Sequence, residues 1–341
     1  MKPPICALAM FSTFSPYEYQ TSHHYNPLDF VSRDPMEVWN DSGVLASALI
    51  RPDGKGDAHW ERRARDQLAA FICYVVLHEE NKSMETVMDC LAASEEDLVD
   101  ITLVMANSDI GGLRRAGKSM SSLVARSPKM FEGNIETMRG HLSIWEDDRL
   151  ASITKHSDWN PKTLREEQTT VYLCVPLEAV EMYASVLRVI IAQHVAALTP
   201  ADKSQSTAVK SLLLLDEAPQ LGRMEPITKA IEVGRSYGLR TWLFAQYMGQ
   251  LHNAYGRDIA EGMVNSCGVV SYMNVGEDGA AQLSKQLGDR HSLIHGEKTP
   301  LATASDLTGP RYRDNVIVVS QGEHPALLGK LPFYQILEME K

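Results

Sequence analysis

The chain has 341 residues, 44% of them hydrophobic, and a formal net charge of −11. That is enough apolar material for a large core and two domains. The negative balance excludes a protein that coats nucleic acid over its whole surface, and leaves open a local basic channel. The five cysteines (Cys6, Cys73, Cys90, Cys174, Cys267) form no CxxC pair, so reduced thiols in a cytosolic setting are expected. The longest apolar runs, such as 69–77, are about half of a spanning helix, so no membrane crossing is expected. No basic n-region leads into a long apolar core at the start, and no signal peptide is expected.

In chain order, residues 1–30 read as short strands and turns, with a strand over 11–15, and 1–10 match no pattern. Residues 31–163 read as mostly helical. Between 57 and 77, Trp60, Ala64, Leu68, Phe71, Ile72 and Val75 recur at helical spacing. An acidic stretch follows (Glu79, Glu80, Glu85, Asp89, Glu95, Glu96, Asp97, Asp100, with Lys82 opposed). It reads as a solvated helical face or as a dock for a basic partner.

Within this helical part, Gly112-Leu113-Arg114-Arg115-Ala116-Gly117-Lys118-Ser119 matches G-x-x-x-x-G-K-[ST]. In a working P-loop, backbone N–H groups cradle phosphates, the lysine reaches the β/γ oxygens and the serine binds Mg²⁺. That requires a strand leading directly into the loop. Here Ser94-Glu95-Glu96-Asp97 is a capping-box pattern, and Leu98, Ile101, Thr102 and Met105 continue at helical spacing. Pro128 follows Ser119 within about three turns. The motif therefore reads as a decoy, a basic loop and helix start whose Arg114, Arg115 and Lys118 face solvent or a phosphate backbone.

From 164 the rhythm is α/β: a strand over 169–175 stopped by Pro176, a long amphipathic helix over 177–198, and a polar connection over 199–209. Leu212-Leu213-Leu214-Leu215 then reads as a strand covered on both faces, ending in Asp216-Glu217. A helix over 227–237 stops at Gly238, and a second buried strand, 241–245, ends in Gln246. Strand, helix and strand of this length form a right-handed βαβ unit. Gln246 and Glu217 then sit at the carboxyl edge of neighbouring strands, where open α/β sheets bind ligands. Paired acids there suit Mg²⁺ and a water-orienting base; the plain alternative is a strand ending in a solvated acidic turn. Further strands are expected over 269–275 and 316–320, with Gly322 opening a turn.

Three histidine patterns lead nowhere on sequence grounds. His23-His24 lies in a polar, solvent-facing turn. His156-Ser157-Asp158 is contiguous and cannot form a catalytic triad. His291 and His295 have i, i+4 spacing without HExxH or nearby cysteines.

LLLLDEAPQLGRM and VGRSYGLRTWLFAQYMGQLHNAYG resemble the coupling proteins of type IV secretion and conjugation, the TraG/TraD class. The likeness continues through Asn265-Ser266-Cys267 and Leu283-Ser284-Lys285-Gln286-Leu287-Gly288. Upstream it takes in Phe14-Ser15-Pro16-Tyr17, Tyr25-Asn26-Pro27-Leu28-Asp29, His59-Trp60 with Ala64-Arg65, Ser157-Asp158-Trp159 and Val171-Tyr172-Leu173-Cys174-Val175-Pro176. It covers nearly the whole chain from about residue 12.

The resemblance implies a RecA-like α/β nucleotide-binding domain, incomplete at its start. Residues 1–30 and 164–341 would form it, around an all-α insertion at 31–163 that holds the decoy motif. The family's membrane helices and its Walker A segment are expected to lie outside this chain. The resemblance further implies ATP and Mg²⁺ as cofactors, with Asp216 holding Mg²⁺ through water, Glu217 activating water and Gln246 reading the γ-phosphate. Arg235 would reach a neighbouring subunit's nucleotide, with Arg223 a weaker candidate. Lys330 and Tyr334 match the family's closing Lys-x-x-x-Tyr. Implied partners are single-stranded DNA, relaxosome proteins, channel ATPases and inner-membrane components, in a homo-hexamer at the cytoplasmic face of the bacterial inner membrane. The alternative is a non-hydrolysing substrate-docking module of the same family.

Overall fold

The computed structural model describes residues 10–50, 58–200, 209–291, 298–332, 334 and 335. The chain divides into two compact units, Met1–Leu213 with Met224–Thr241, and Leu214–Arg223 with Trp242–Lys341.

The first unit begins with β1 (Met10–Phe14), which pairs in parallel with β2 (Thr169–Leu173), Met10 opposite Thr169 and Phe14 opposite Leu173. Between them run seven helices among the described residues: α1 (Val38–Leu49), α2 (Ala58–His78), α3 (Met84–Leu91), α4 (Glu95–Ala106), α5 (Gly111–Arg126), α6 (Pro128–Leu142) and α7 (Asp148–Ser152). The local chemistry starts these helices where the sequence points. The Ser83 and Ser94 side chains accept the backbone N–H groups of Thr86 and Asp97 at the starts of α3 and α4, satisfying donors that a helix start leaves unpaired. Pro128 opens α6, where its missing N–H has no partner to lose. The apolar stripe of α2 reaches the middle of one core that joins Phe14, Tyr25 and Leu28 to Phe71, Ile72, Leu113, Met138, Trp145, Tyr183 and Ile190.

After β2 come α8 (Ala184–Leu198), β3 (Ser211–Leu215), α9 (Glu225–Val233) and β4 (Leu239–Leu243). β3 and β4 are neighbours. Ser211 N–H donates to Gly238 O and Phe244 N–H to Leu215 O, so the bonds advance together as in a parallel ladder. The second unit adds α10 (Met248–Tyr255), α11 (Arg257–Ser266), β5 (Val269–Tyr272), α12 (Glu277–Leu287), β6 (Asp289–His291), β7 (Lys298–Pro300), α13 (Ala304–Thr308), β8 (Asn315–Ser320) and β9 (Ala326–Gly329). β8 pairs antiparallel with β5 and β9. Gly322, at φ +79°, turns the β8–β9 hairpin. A small core gathers Ala280, Leu283, Ala302, Leu307 and Ile317.

Several expectations need correction. The leucine strand is covered on one face only, with Leu212 57% and Leu214 53% exposed, and Trp242 of β4 is 56% exposed. Successive strand residues point to opposite faces, and here only the face of Leu213 and Leu215 is packed. The helix expected over 177–198 is a 3-10 turn (Leu177–Ala179), a bend, and then α8. The bend buries Tyr183 completely and delivers its hydroxyl to Asp147 Oδ2 at 2.8 Å, so tertiary packing overrides periodicity. The helix over 227–237 gives way to a 3-10 turn at Gly234–Tyr237, and Gly238 at φ +80° ends it as expected. Among the described residues the strands form separate ladders (β1–β2, β3–β4, β5–β8–β9 and β6–β7). Residues 112–119 lie wholly inside α5, with no loop.

Candidate functional site

β3 ends at buried Leu215, and the chain turns at Asp216 and Glu217. Glu217 takes the left-handed conformation (φ 49°, ψ 39°), which costs a residue with a Cβ roughly 1–3 kcal/mol. This reversal lets Ala218 N–H donate to Phe244 O and Gln220 N–H to Glu217 O, and it starts a 3-10 turn, Ala218–Leu221, with Pro219 near its beginning. From the end of β4, Gln246 reaches back: its Nε2 donates to Glu217 Oε1 at 3.0 Å. Gln246 is itself held, because its backbone N–H donates to Gln250 Oε1 of α10 at 2.9 Å. Glu217 Oε2 is buried with no hydrogen-bond partner. Asp216 beside it is exposed.

A buried, unpaired carboxylate oxygen costs at least about 1–3 kcal/mol, and it coincides with a strained backbone. Such coincidences are retained where a transient partner completes the bonding. The donor set fits a hydrated Mg²⁺ and a polarised water: one exposed carboxylate, one orphaned carboxylate oxygen, and an amide fixed beside them.

The helix α5 does not fit a phosphate cradle. Gly112 and Gly117 are buried and Lys118 and Ser119 exposed. A Cβ on Gly112 would stand 2.2 Å from the Trp39 ring, and one on Gly117 would stand 2.3 Å from the Ala106 backbone nitrogen. These glycines let helices approach closely, and Gly117, in the helix interior, has its N–H in the i→i−4 ladder. Arg114 turns back to the carbonyls of Ser108 and Asp109 at 2.8 and 3.1 Å.

Arg235 lies exposed in the 3-10 turn Gly234–Tyr237 of the first unit. Arg223 is also exposed. Lys330 Nζ donates to Asn274 Oδ1 at 2.7 Å and Arg313 O at 2.6 Å, and Tyr334 is exposed. Sequence reasoning passed over Gln250, although its i+4 position from Gln246 at a helix start was the available signal.

The structure also joins two of the recognised upstream motifs. Asn26 N–H donates to Ser157 Oγ at 2.9 Å, Tyr25 stacks on Trp159, and Trp159 Nε1 donates to buried His194 Nε2 at 3.0 Å. Beside them His24, His156 and Asp158 converge, contrary to the reading of His23-His24 as a plain solvent turn. His295 lies outside the described residues, so the His291–His295 pattern has no structural counterpart here. Cys6 does also; Cys73 and Cys90 are buried free thiols, with Cys174 exposed and Cys267 half-buried.

Neighbouring parallel strands that end in an acid pair and a glutamine, with a helical insertion upstream, are the layout of RecA-like α/β ATPases. A family model described as "Type IV secretory system Conjugative DNA transfer" matches residues 9–293, and the chain belongs to that family. Protein VirD4 of Agrobacterium fabrum (strain C58) is 26% identical over 343 residues, covering 94% of this chain and 50% of the relative. Conjugal transfer protein TraG of Escherichia coli is 23% identical over 374 residues, covering 94% and 58%. The chain thus spans about half the length of the curated relatives it matches. Unbound conjugative coupling protein TrwBdeltaN70 superposes with a TM-score of 0.71 at 15% identity, covering 94% of this chain and 74% of that one. Plasmid coupling protein TrwB in complex with ADP and Mg²⁺ gives 0.70 at 16%, covering 94% and 73%. The fold is therefore the mixed α/β RecA-like fold with helical insertions. Among the described residues no helix is long and apolar enough to cross a membrane.

Proposed function

We propose that this chain carries the acid-and-sensor half of a coupling-protein motor, which uses ATP hydrolysis to deliver single-stranded DNA or protein substrates to a type IV secretion channel. The observation that carries this reading is the buried, unpartnered Oε2 of Glu217, on a residue whose other oxygen is fixed by Gln246. Bound Mg-ATP would supply the electrophilic γ-phosphate. Glu217 Oε2 accepts the proton of the attacking water, and the strained turn holds that oxygen in place. Gln246 keeps Glu217 Oε1 occupied, so only one oxygen faces the water. Asp216 would hold Mg²⁺ through its water shell. The exposed Arg235 is free to neutralise charge on a neighbouring subunit's nucleotide in a homo-hexamer. By the same reading relaxosome proteins, channel ATPases and inner-membrane components are partners, and the protein works at the cytoplasmic face of the inner membrane. The chain is organised as residues 1–30 and 164–341 around the insertion 31–163.

A second reading, a non-hydrolysing substrate-docking module, is favoured by one observation. The sole G-x-x-x-x-G-K-S of the sequence is helical, with Lys118 and Ser119 on its outer face. Turnover distinguishes the two readings. In the first, Mg-ATP hydrolysis by the 341-residue chain falls about 10²–10⁴-fold in Glu217→Gln and is unchanged in Lys118→Ala. Absence of turnover at millimolar Mg-ATP contradicts the first reading.

A further inference from the structure

We propose that His24, His156 and Asp158 form a binding site for a divalent transition-metal ion of the zinc class, clamping the turn after β1 to the segment that follows α7. All three lie in the first unit, apart from the residues of the nucleotide reading, and the proposal does not depend on that reading.

The three side chains come from segments 134 residues apart in sequence, yet their candidate ligand atoms lie within 4.8 Å of one another. His24 Nδ1 is 3.0 Å from Asp158 Oδ2, and His156 Nε2 is 3.3 Å from Asp158 Oδ1. Ligands of a tetrahedral zinc centre, each at ~2.0–2.2 Å from the ion, stand about 3.4 Å apart. The two histidine–carboxylate separations are thus already those of a ligand set, and closing the remaining gap needs only side-chain torsion. The imidazoles stack with centroids 4.2 Å apart and planes 23° apart, presenting both ring nitrogens to one carboxylate.

The backbone beneath is built before any ion arrives. His24 N–H donates to Asp158 Oδ2 at 2.7 Å, and Asp158 N–H donates to His24 O at 3.0 Å. Asn26 N–H is held by Ser157 Oγ at 2.9 Å. These bonds fix both ligand-bearing segments, so binding orders little more than side chains. They also engage Oδ2 from the protein side, while Oδ1 faces the 60%-exposed ring of His156. An ion that takes Oδ1 and the two ring nitrogens leaves the backbone bond to Oδ2 intact. Second-shell support of this kind fixes a coordinating carboxylate.

Two imidazole nitrogens and one carboxylate oxygen select zinc, cobalt, nickel or copper over magnesium or calcium, which require more oxygen ligands. The partial exposure of all three side chains leaves a fourth position for water. Because both segments are ligands only when folded together, the ion stabilises the native junction by mass action.

The test is a Zn²⁺ titration by calorimetry on the chelator-stripped 341-residue protein, with thermal unfolding in parallel. One saturating site is expected, with a Tm rise of several degrees at Zn²⁺ concentrations about 100 times Kd and no response to Mg²⁺. His156→Ala, whose ring stacks on His24 and faces Asp158, should weaken binding at least tenfold and abolish the Tm rise. Absence of saturable binding in the wild type, or equal affinity in His156→Ala, overturns the proposal. Should that variant unfold, Co²⁺ decides on the wild type alone: a visible absorption band displaced by Zn²⁺ supports the site, and no band overturns it.

Discussion

The two units spend their apolar residues differently. In the first, a large core runs from Phe14 to Ile190 and takes in residues of every helix from α1 to α8 and of the turns between them. In the second, Ala280, Leu283, Ala302, Leu307 and Ile317 form one small cluster, Leu251, Tyr255, Ala260 and Met263 are buried as well, and the strands expose Val269, Leu327 and Leu328. The part that carries the acid turn leaves polar and apolar groups open, including the orphaned Glu217 Oε2. The larger buried apolar cluster thus lies in the first unit, and the acid turn lies in the second.

The sharpest way to break this comparison is to hollow each core. Phe71→Ala, in a fully buried and crowded site, should cost about 3–5 kcal/mol in denaturant unfolding. Leu283→Ala should fall at the low end of the ~2–5 kcal/mol range, because a small core bordered by half-buried side chains collapses around the gap. Equal losses would contradict the contrast.

The next effect is a pH dependence confined to the first unit. Burial pushes the His194 imidazole down to about 4, against the opposing bond to Ile190 O. The unfolded chain therefore binds a proton between about pH 6.5 and 4 that the folded chain refuses. Its contribution is complete above about 6.5, declines as pH falls towards 4 and then stays constant. About 3 kcal/mol is lost over that window. Urea unfolding at pH 7, 5.5 and 4 should show this fall, with a flatter profile in His194→Gln; parallel profiles would contradict it.

Glycine substitutions sharpen the comparison within the insertion. Gly117→Ala drives a methyl group into the Ala106 and Met105 backbone and should destabilise by about 1–3 kcal/mol, outweighing its gain in helix propensity. Gly133→Ala in α6 meets nothing within 4 Å and should stabilise by up to about 1 kcal/mol. Thermal unfolding of the pair should move in opposite directions. The smallest effect belongs to the open strand face: Trp242→Ser should change stability by no more than about 0.5 kcal/mol, and a larger loss would mean that this face is covered in solution.

Much of this was legible in the sequence because it is local. Capping serines, Pro128, the helical stripe of α2 and the turn at Gly238 act over a few residues, and the elements fall where these signals put them. The approach of Glu217 to Gln246 was legible as well, since each ends an apolar run of strand length. The left-handed turn at Glu217 was not, because glycine or asparagine is the usual signal for that conformation and neither is present. The break before Tyr183 was hidden for another reason: its apolar spacing is helical, and only the distant Asp147 makes the bend worthwhile. The joining of His24 to His156 and Asp158 was not legible, since His23-His24 and His156-Ser157-Asp158 each lead nowhere until the fold brings them together. The match at 112–119 is the converse case, a local pattern whose glycines serve helix packing.

The central claim is that a nucleotide meets the turn at Asp216, Glu217 and Gln246, and not the lysine-bearing helix α5. Hydrogen exchange of the 341-residue protein with and without Mg-ATP tests this most directly. Slower exchange at 214–223 and 242–250, with 111–126 unchanged, is the predicted result. Protection of 111–126 while the acid turn exchanges freely would contradict it.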